Sequence, residues 1–173
     1  MLNALRRSKE RRSLVSRLHA ALVARARDPV FFARFGVKDT LDGRFDLLVL
    51  HAWLVLERLN AVGATPLSQA FVDTVFVGFD EALRELGAGD IGMGKRVKKL
   101  AGAFYGRMRA YDEARDVVAM EAALVRNLHR GASEPGAKAL AHYVMRAKAR
   151  LAACDVESGV LDFGPLPDEG LGR

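Results

Sequence analysis

The chain holds a single cysteine in 173 residues, Cys154, so no internal disulfide can form, and a reducing compartment suits it. Its four histidines, His19, His51, His129 and His142, are scattered without ligand spacing, which argues against a zinc site. Long hydrophobic runs are missing too. The longest, Leu47–Leu56, is ten residues including His51, about half a membrane span, and it reads as a buried core helix. After Met1–Arg12 no uninterrupted apolar core of about seven residues precedes the next cation, so no secretory signal is expected. The expected place is the cytoplasm, with a peripheral position at the cytoplasmic face of the inner membrane allowed by the charge. Strand signals are absent as well: no segment alternates with period two for long, and there is no internal repeat.

Catalytic groupings are equally scarce. A lone Cys154, serines with no nearby histidine pattern and dispersed carboxylates make neither a nucleophile nor an acid–base pair, so neither an enzyme nor a cofactor is expected. Two phosphate-loop look-alikes fail on context. Gly89 is separated by four residues from Gly94-Lys95, and Gly87, Gly89 and Gly92 spell G-x-G-x-x-G. Both motifs need a preceding strand. Here Phe71, Val72, Val75, Phe76, Phe79, Ala82, Leu83 and Leu86 share one helical face, and Arg96 replaces the magnesium-binding Ser or Thr. A calcium loop counted from Asp39 fails at Leu41 and Leu50, where acids are required.

Acid is lacking at one end of the chain. Residues 1–27 carry eight Lys or Arg against Glu10 alone, a local net of +7, so the other 146 residues net −1 of the total +6. Residues 1–12 therefore form a basic arm suited to anionic lipid or to ribosomal RNA, through screened, sequence-blind forces. No module for specific DNA accompanies it. The last nineteen residues reverse the balance, with five acids against Arg173.

What is present points to one all-α domain of six or seven helices around a central apolar helix. Half the residues are hydrophobic, enough for a sizeable core at this length. The first helix runs from about Glu10 to Arg27 on a Leu14/Leu18/Leu22 stripe, and Asp28-Pro29 restarts the chain. Residues 44–59 are apolar nearly all round, the mark of a central helix. Thr65-Pro66 opens the Phe71–Leu86 helix, and a cationic helix spans about Ile91–Ala114 with Asp90 as its expected N-cap. One helix follows from about Asp116 to His129, and the last long one reaches about Cys154. The expected divisions are an arm, 1–12, a helical domain, 13–155, and an irregular acidic tail, 156–173.

The cationic helix has two unlike sides. Val97, Leu100, Ala101, Phe104, Met108 and Tyr111 form a core stripe, while Lys95, Lys99, Gly102, Gly106 and Arg109 lie opposite. A glycine in a helix costs about 1 kcal/mol relative to alanine. Two of them, four apart, make a smooth groove in which another helix can approach closely. These five residues are the candidate partner-binding set. Against that reading stands tolerance, or contact with a neighbouring segment of the same chain. The cations Lys95, Arg96, Lys98 and Lys99 call for an anionic neighbour, with an intramolecular salt-bridge network to Asp80, Glu81 and Glu85 the commoner answer. Elsewhere, His51 is expected to be a buried, hydrogen-bonded histidine, and Asp42, Arg44 and Asp46 a turn-fixing ion-pair set.

Three blocks carry a family likeness. Ala26–Phe32 fits AR-x-P-x-F-[FY]; Asp39–Leu59 opens on D-G-R-F-D and runs into a Leu- and His-bearing helix; Leu83–Ala114 contains L-R-E-x-G-x-G-D, G-K-x-V-K and A-F-Y-G-R elements. In these the chain resembles the ubiquinol–cytochrome c chaperone family over roughly residues 15–150. The resemblance implies a helical, non-enzymatic chaperone that binds newly made cytochrome b and promotes assembly of the bc1 complex. Mitochondrial relatives work beside the ribosome with a small partner protein. With no long presequence, this chain looks like a bacterial member. The alternatives are a basic helical adapter for ribosome, RNA or anionic membrane, and, third, a small quinone- or haem-binding bundle.

Overall fold

A computed structural model of the chain describes residues 2–85, 92–132 and 134–166. Seven α-helices appear in it: α1 (Leu2–Ala26), α2 (Val30–Arg34), α3 (Leu41–Ala61), α4 (Thr65–Glu85), α5 (Met93–Glu113), α6 (Val117–Asn127) and α7 (Gly136–Ala152). A 3-10 turn at Val156–Ser158 follows, and no strand occurs among the described residues. The all-α class stands.

Helix α3 occupies the centre because it has no wet side. Leu47, Val49, Leu50, Ala52, Val55 and Leu59 are fully buried, and α1, α4, α5 and α7 pack around it. Its start is earlier than periodicity implies. Thr40 is the N-cap, its hydroxyl accepting from the Gly43 amide at 3.2 Å, so Asp42-Gly43 lies inside the first turn and not in a loop. Glycine is required there: a Cβ at Gly43 would sit 2.0 Å from the Lys38 carbonyl oxygen.

The ends of the chain differ from their expected divisions. Residues 2–12 are not separate from the first helix but its continuation, since nothing breaks α1 before Ala26. Asp28 accepts from the Val30 amide at 3.0 Å and starts α2. At the other end, residues 156–166 are irregular but packed on the helices, with Val156 and Phe163 in the core. Arg25 donates to the Gly164 carbonyl at 2.8 Å and lies over the Phe163 ring. The break between α5 and α6 falls at Ala114–Asp116, where Asp116 caps α6 by accepting from the Ala119 amide. Gly136 opens α7 against the backbone of Phe35; a Cβ would meet Phe35 Cα at 2.6 Å.

Candidate functional site

Helix α5 is amphipathic, and its two sides meet different surroundings. Phe104, Met108 and Tyr111 are buried, as their spacing requires. Phe104 lies within a ring cluster, 5.2 Å from Phe76 and 6.3 Å from Phe79, with Phe45 5.0 Å from Phe79. This aromatic seam joins α3, α4 and α5. It reaches the surface at Tyr105, which stacks on Phe76 at 6.1 Å and remains 57% exposed, while Val77 on α4 is 56% exposed.

The outer side of α5 is bare. Lys95, Lys99, Gly102, Gly106 and Arg109 are all exposed. A Cβ built at Gly102 or at Gly106 finds no heavy atom within 4 Å. Among the described residues, then, neither glycine meets another part of the monomer. Tyr105 adjoins both on the helix surface, so small residues and an exposed ring share one patch.

The expected salt-bridge network between the α5 cations and the α4 acids does not form among the described residues. Asp80 instead pairs with Arg84 one turn along its own helix, at 2.9 Å. Arg109 likewise pairs with Glu113, at 2.9 Å. Lys95, Arg96, Lys98 and Lys99 project into solvent. The helix begins at Met93 after Gly92, whose φ of 96° suits glycine; Asp90, expected as N-cap, and Gly87 and Gly89 of the loop look-alikes lie outside the described residues.

Asp42, Arg44 and Asp46 do not pair with one another. From a helix starting at Leu41, residues 42 and 46 share one face, and residue 44 points away from it. Arg44 therefore turns outward to Asp39, donating at 2.7 and 3.2 Å, with its guanidinium 5.9 Å from the Phe32 ring. That exposed pair fixes the loop. Asp46 turns inward and is fully buried, 2.7 Å from Arg107 of α5 and 2.9 Å from Arg130. Asp42 lies at the rim, 3.5 Å from Arg130. Burial pushes the Asp46 carboxyl up to about 6, although the two arginines oppose the rise.

Arg107 links this buried charge to the α5 surface. Its Nη1 donates to the Ala103 carbonyl at 3.0 Å, and its guanidinium lies 5.4 Å from the Phe45 ring. Arg130 reaches Asp46 from the α6–α7 connection with φ of 57°, a left-handed conformation rare for a side-chain-bearing residue. Sequence reasoning missed both arginines. Their partner lies 61 and 84 positions away, and neither sits in a local pattern of opposite charge.

His51 is a structural histidine. Nδ1 faces the Leu47 carbonyl at 2.8 Å, so that nitrogen must carry the proton, and Nε2 accepts from the Tyr143 hydroxyl at 2.9 Å. Burial lowers its pKa to about 4. Among the described residues, no group of His, Cys, Asp and Glu is arranged to hold a metal ion, and no helix is long and apolar enough to cross a membrane.

Comparison with known proteins supplies the family. The family model described as ubiquinol-cytochrome C chaperone matches residues 33–159. No curated protein matches the chain. Among solved structures, the Cbp3 homolog from Brucella abortus is similar at 39% identity and a TM-score of 0.80, over 92% of this chain and 94% of that one. With 127 of 173 residues matched and this likeness along nearly the whole length, the chain belongs to the ubiquinol–cytochrome c chaperone family.

Proposed function

We propose that this chain is a non-enzymatic chaperone that binds newly made cytochrome b and promotes assembly of the ubiquinol–cytochrome c reductase complex, receiving an apolar client helix on the outer side of α5. The observation that carries the site is the open space over Gly102 and Gly106 beside the exposed Tyr105 ring. A client helix with small residues can approach such a groove closely, gaining dispersion contacts that a surface covered by side chains denies it. Tyr105 and Phe76 give it an aromatic edge, and Lys95 and Lys99 steer the anionic flanks of a client. A cytoplasmic position at the face of the inner membrane fits this role.

Cells that depend on this protein for bc1 assembly provide the test. Gly106→Leu should abolish cytochrome b accumulation while the purified variant remains folded. Lys95→Glu with Lys99→Glu should weaken crosslinking of α5 to the client in a salt-sensitive way. Full cytochrome b accumulation with folded Gly106→Leu would show that the client docks elsewhere.

A further inference from the structure

The cations of α1 border a groove that α5 does not share. Arg7, Glu10, Arg11, Leu14 and Arg17 recur at helical spacing and form one wall of an open cleft of about 790 Å³. The facing wall, at the turn between α3 and α4, is apolar and includes Val62, Ala64, Pro66 and Leu67, with Val62 44% exposed. Arg58 at the base is committed, donating to the Cys154 carbonyl at 3.1 and 2.7 Å. So are two of the acids: Glu10 pairs with Arg6 at 3.0 Å, and Asp155 accepts from the Glu157 amide at 3.0 Å. Arg7 and Arg11 are exposed and have no hydrogen-bond or ion-pair partner among the described residues. Glu157 is the opposing carboxylate at the far end.

We propose that this cleft docks the protein on an anionic bilayer, with a lipid phosphate held by Arg7 and Arg11 and the Val62–Pro66 corner resting at the headgroup boundary. Guanidinium groups match phosphate oxygens in a two-pronged geometry. The field also favours it, because residues 1–12 carry five Lys or Arg against Glu10 alone, which draws this end of α1 to an anionic surface. Arg17, exposed on the same wall of the cleft, extends the contact. A single-stranded RNA would use this cleft poorly. Such chains bind by stacking bases on aromatic rings, and no aromatic side chain lines it. Its apolar wall suits lipid.

Vesicle co-sedimentation of the full chain tests the proposal and does not involve the client. The protein should partition onto vesicles containing phosphatidylglycerol and stay free of pure phosphatidylcholine, with binding lost as salt rises. Arg7→Glu with Arg11→Glu should lower partition about tenfold or more, with helicity by circular dichroism unchanged because both side chains are exposed. Val62→Ser should lower it to a smaller degree and leave the salt dependence intact. Lys95→Glu with Lys99→Glu removes the same charge from α5 and should leave vesicle binding nearly unchanged. An equal loss in that control would mean diffuse charge and overturn the site. Indifference to Val62→Ser would overturn the apolar seat. Binding to mixed-sequence single-stranded RNA without binding to anionic vesicles would make this end a nucleic-acid surface instead.

Discussion

Helices α3 and α5 have equal length, 21 residues each, and opposite surroundings. Twelve residues of α3 are buried, among them an aspartate and a histidine, each with partners. Among the described side chains of α5 only Phe104, Met108 and Tyr111 are buried, and the opposite side carries glycine and lysine against solvent. A helix enclosed on all sides must satisfy every polar group within the monomer. A helix packed along one stripe keeps its other side available, and it spends helix propensity at Gly102 and Gly106 to keep that side smooth. The difference separates an enclosed helix from one with an open side, and the two meet at the Asp46–Arg107 pair.

The strongest attack on this contrast falls on the buried side of α5. Phe104→Ala removes a fully buried ring between Phe76 and Phe79 and should cost about 3–5 kcal/mol in a denaturant titration. Next comes Arg107→Met. It leaves the Asp46 carboxylate with Arg130 alone, itself half exposed, and should cost about 3 kcal/mol, near the lower end for stranding a buried charge. Adding Asp46→Asn should recover part of that loss. A double-mutant cycle with no coupling would mean that the pair does not hold α5 to α3.

A smaller effect follows from titration inside α3. Between the ordinary carboxylate value and about 6, the folded state retains a proton on Asp46 that the unfolded state has released. Its contribution is thus favourable at low pH and is lost as pH rises through that window. Asp46→Asn should accordingly improve relative to the parent between pH 4 and pH 6, the range set by the Asp46 shift. His51 acts in the other direction, its neutral form favoured by burial, so its contribution is lost as pH falls from 6.5 toward about 4. Urea melts at the two ends of the range would show both limbs. If Asp46→Asn and the parent ran parallel, the carboxyl would be less desolvated than its burial implies.

The smallest expected change is at the open side. A Cβ at Gly106 meets no atom of the described residues within 4 Å and leucine improves helix propensity, so Gly106→Leu should leave stability unchanged or raise it by up to about 1 kcal/mol. A loss comparable to that of Phe104→Ala would erase the distinction between the two sides of α5.

How much of this could be read from sequence depends on the range of the interactions. The central helix was legible because residues 47–56 are apolar on every side, a pattern that only a buried helix tolerates. The split of α5 into Phe104/Met108/Tyr111 against Gly102/Gly106 was legible for the same local reason. The start of α3 was misplaced because Gly43 resembles a turn glycine, whereas its missing side chain makes room for the Lys38 carbonyl within the helix. Asp46 could not be separated from Asp42 and Arg44 by composition. What distinguishes it is the pair of arginines supplied by remote elements, one of them held at positive φ. Nor could charge alone show that residues 2–12 continue α1 or that residues 156–166 pack on the core.

That last packing has a dynamic consequence. The strap from Val156 to Leu166 contains one 3-10 turn and is fastened by the buried Val156 and Phe163, by the Arg25 contact to Gly164 and by the exposed Arg150–Asp162 pair. A segment fastened at so few points opens at a lower free energy than the whole domain. Its opening would uncover the edge of the His51 ring, 5.6 Å from Phe163, without melting α3. In native-state hydrogen exchange, the Gly164 amide should therefore exchange by local detachment, well ahead of the amides around Leu50 and Leu54, which await global unfolding.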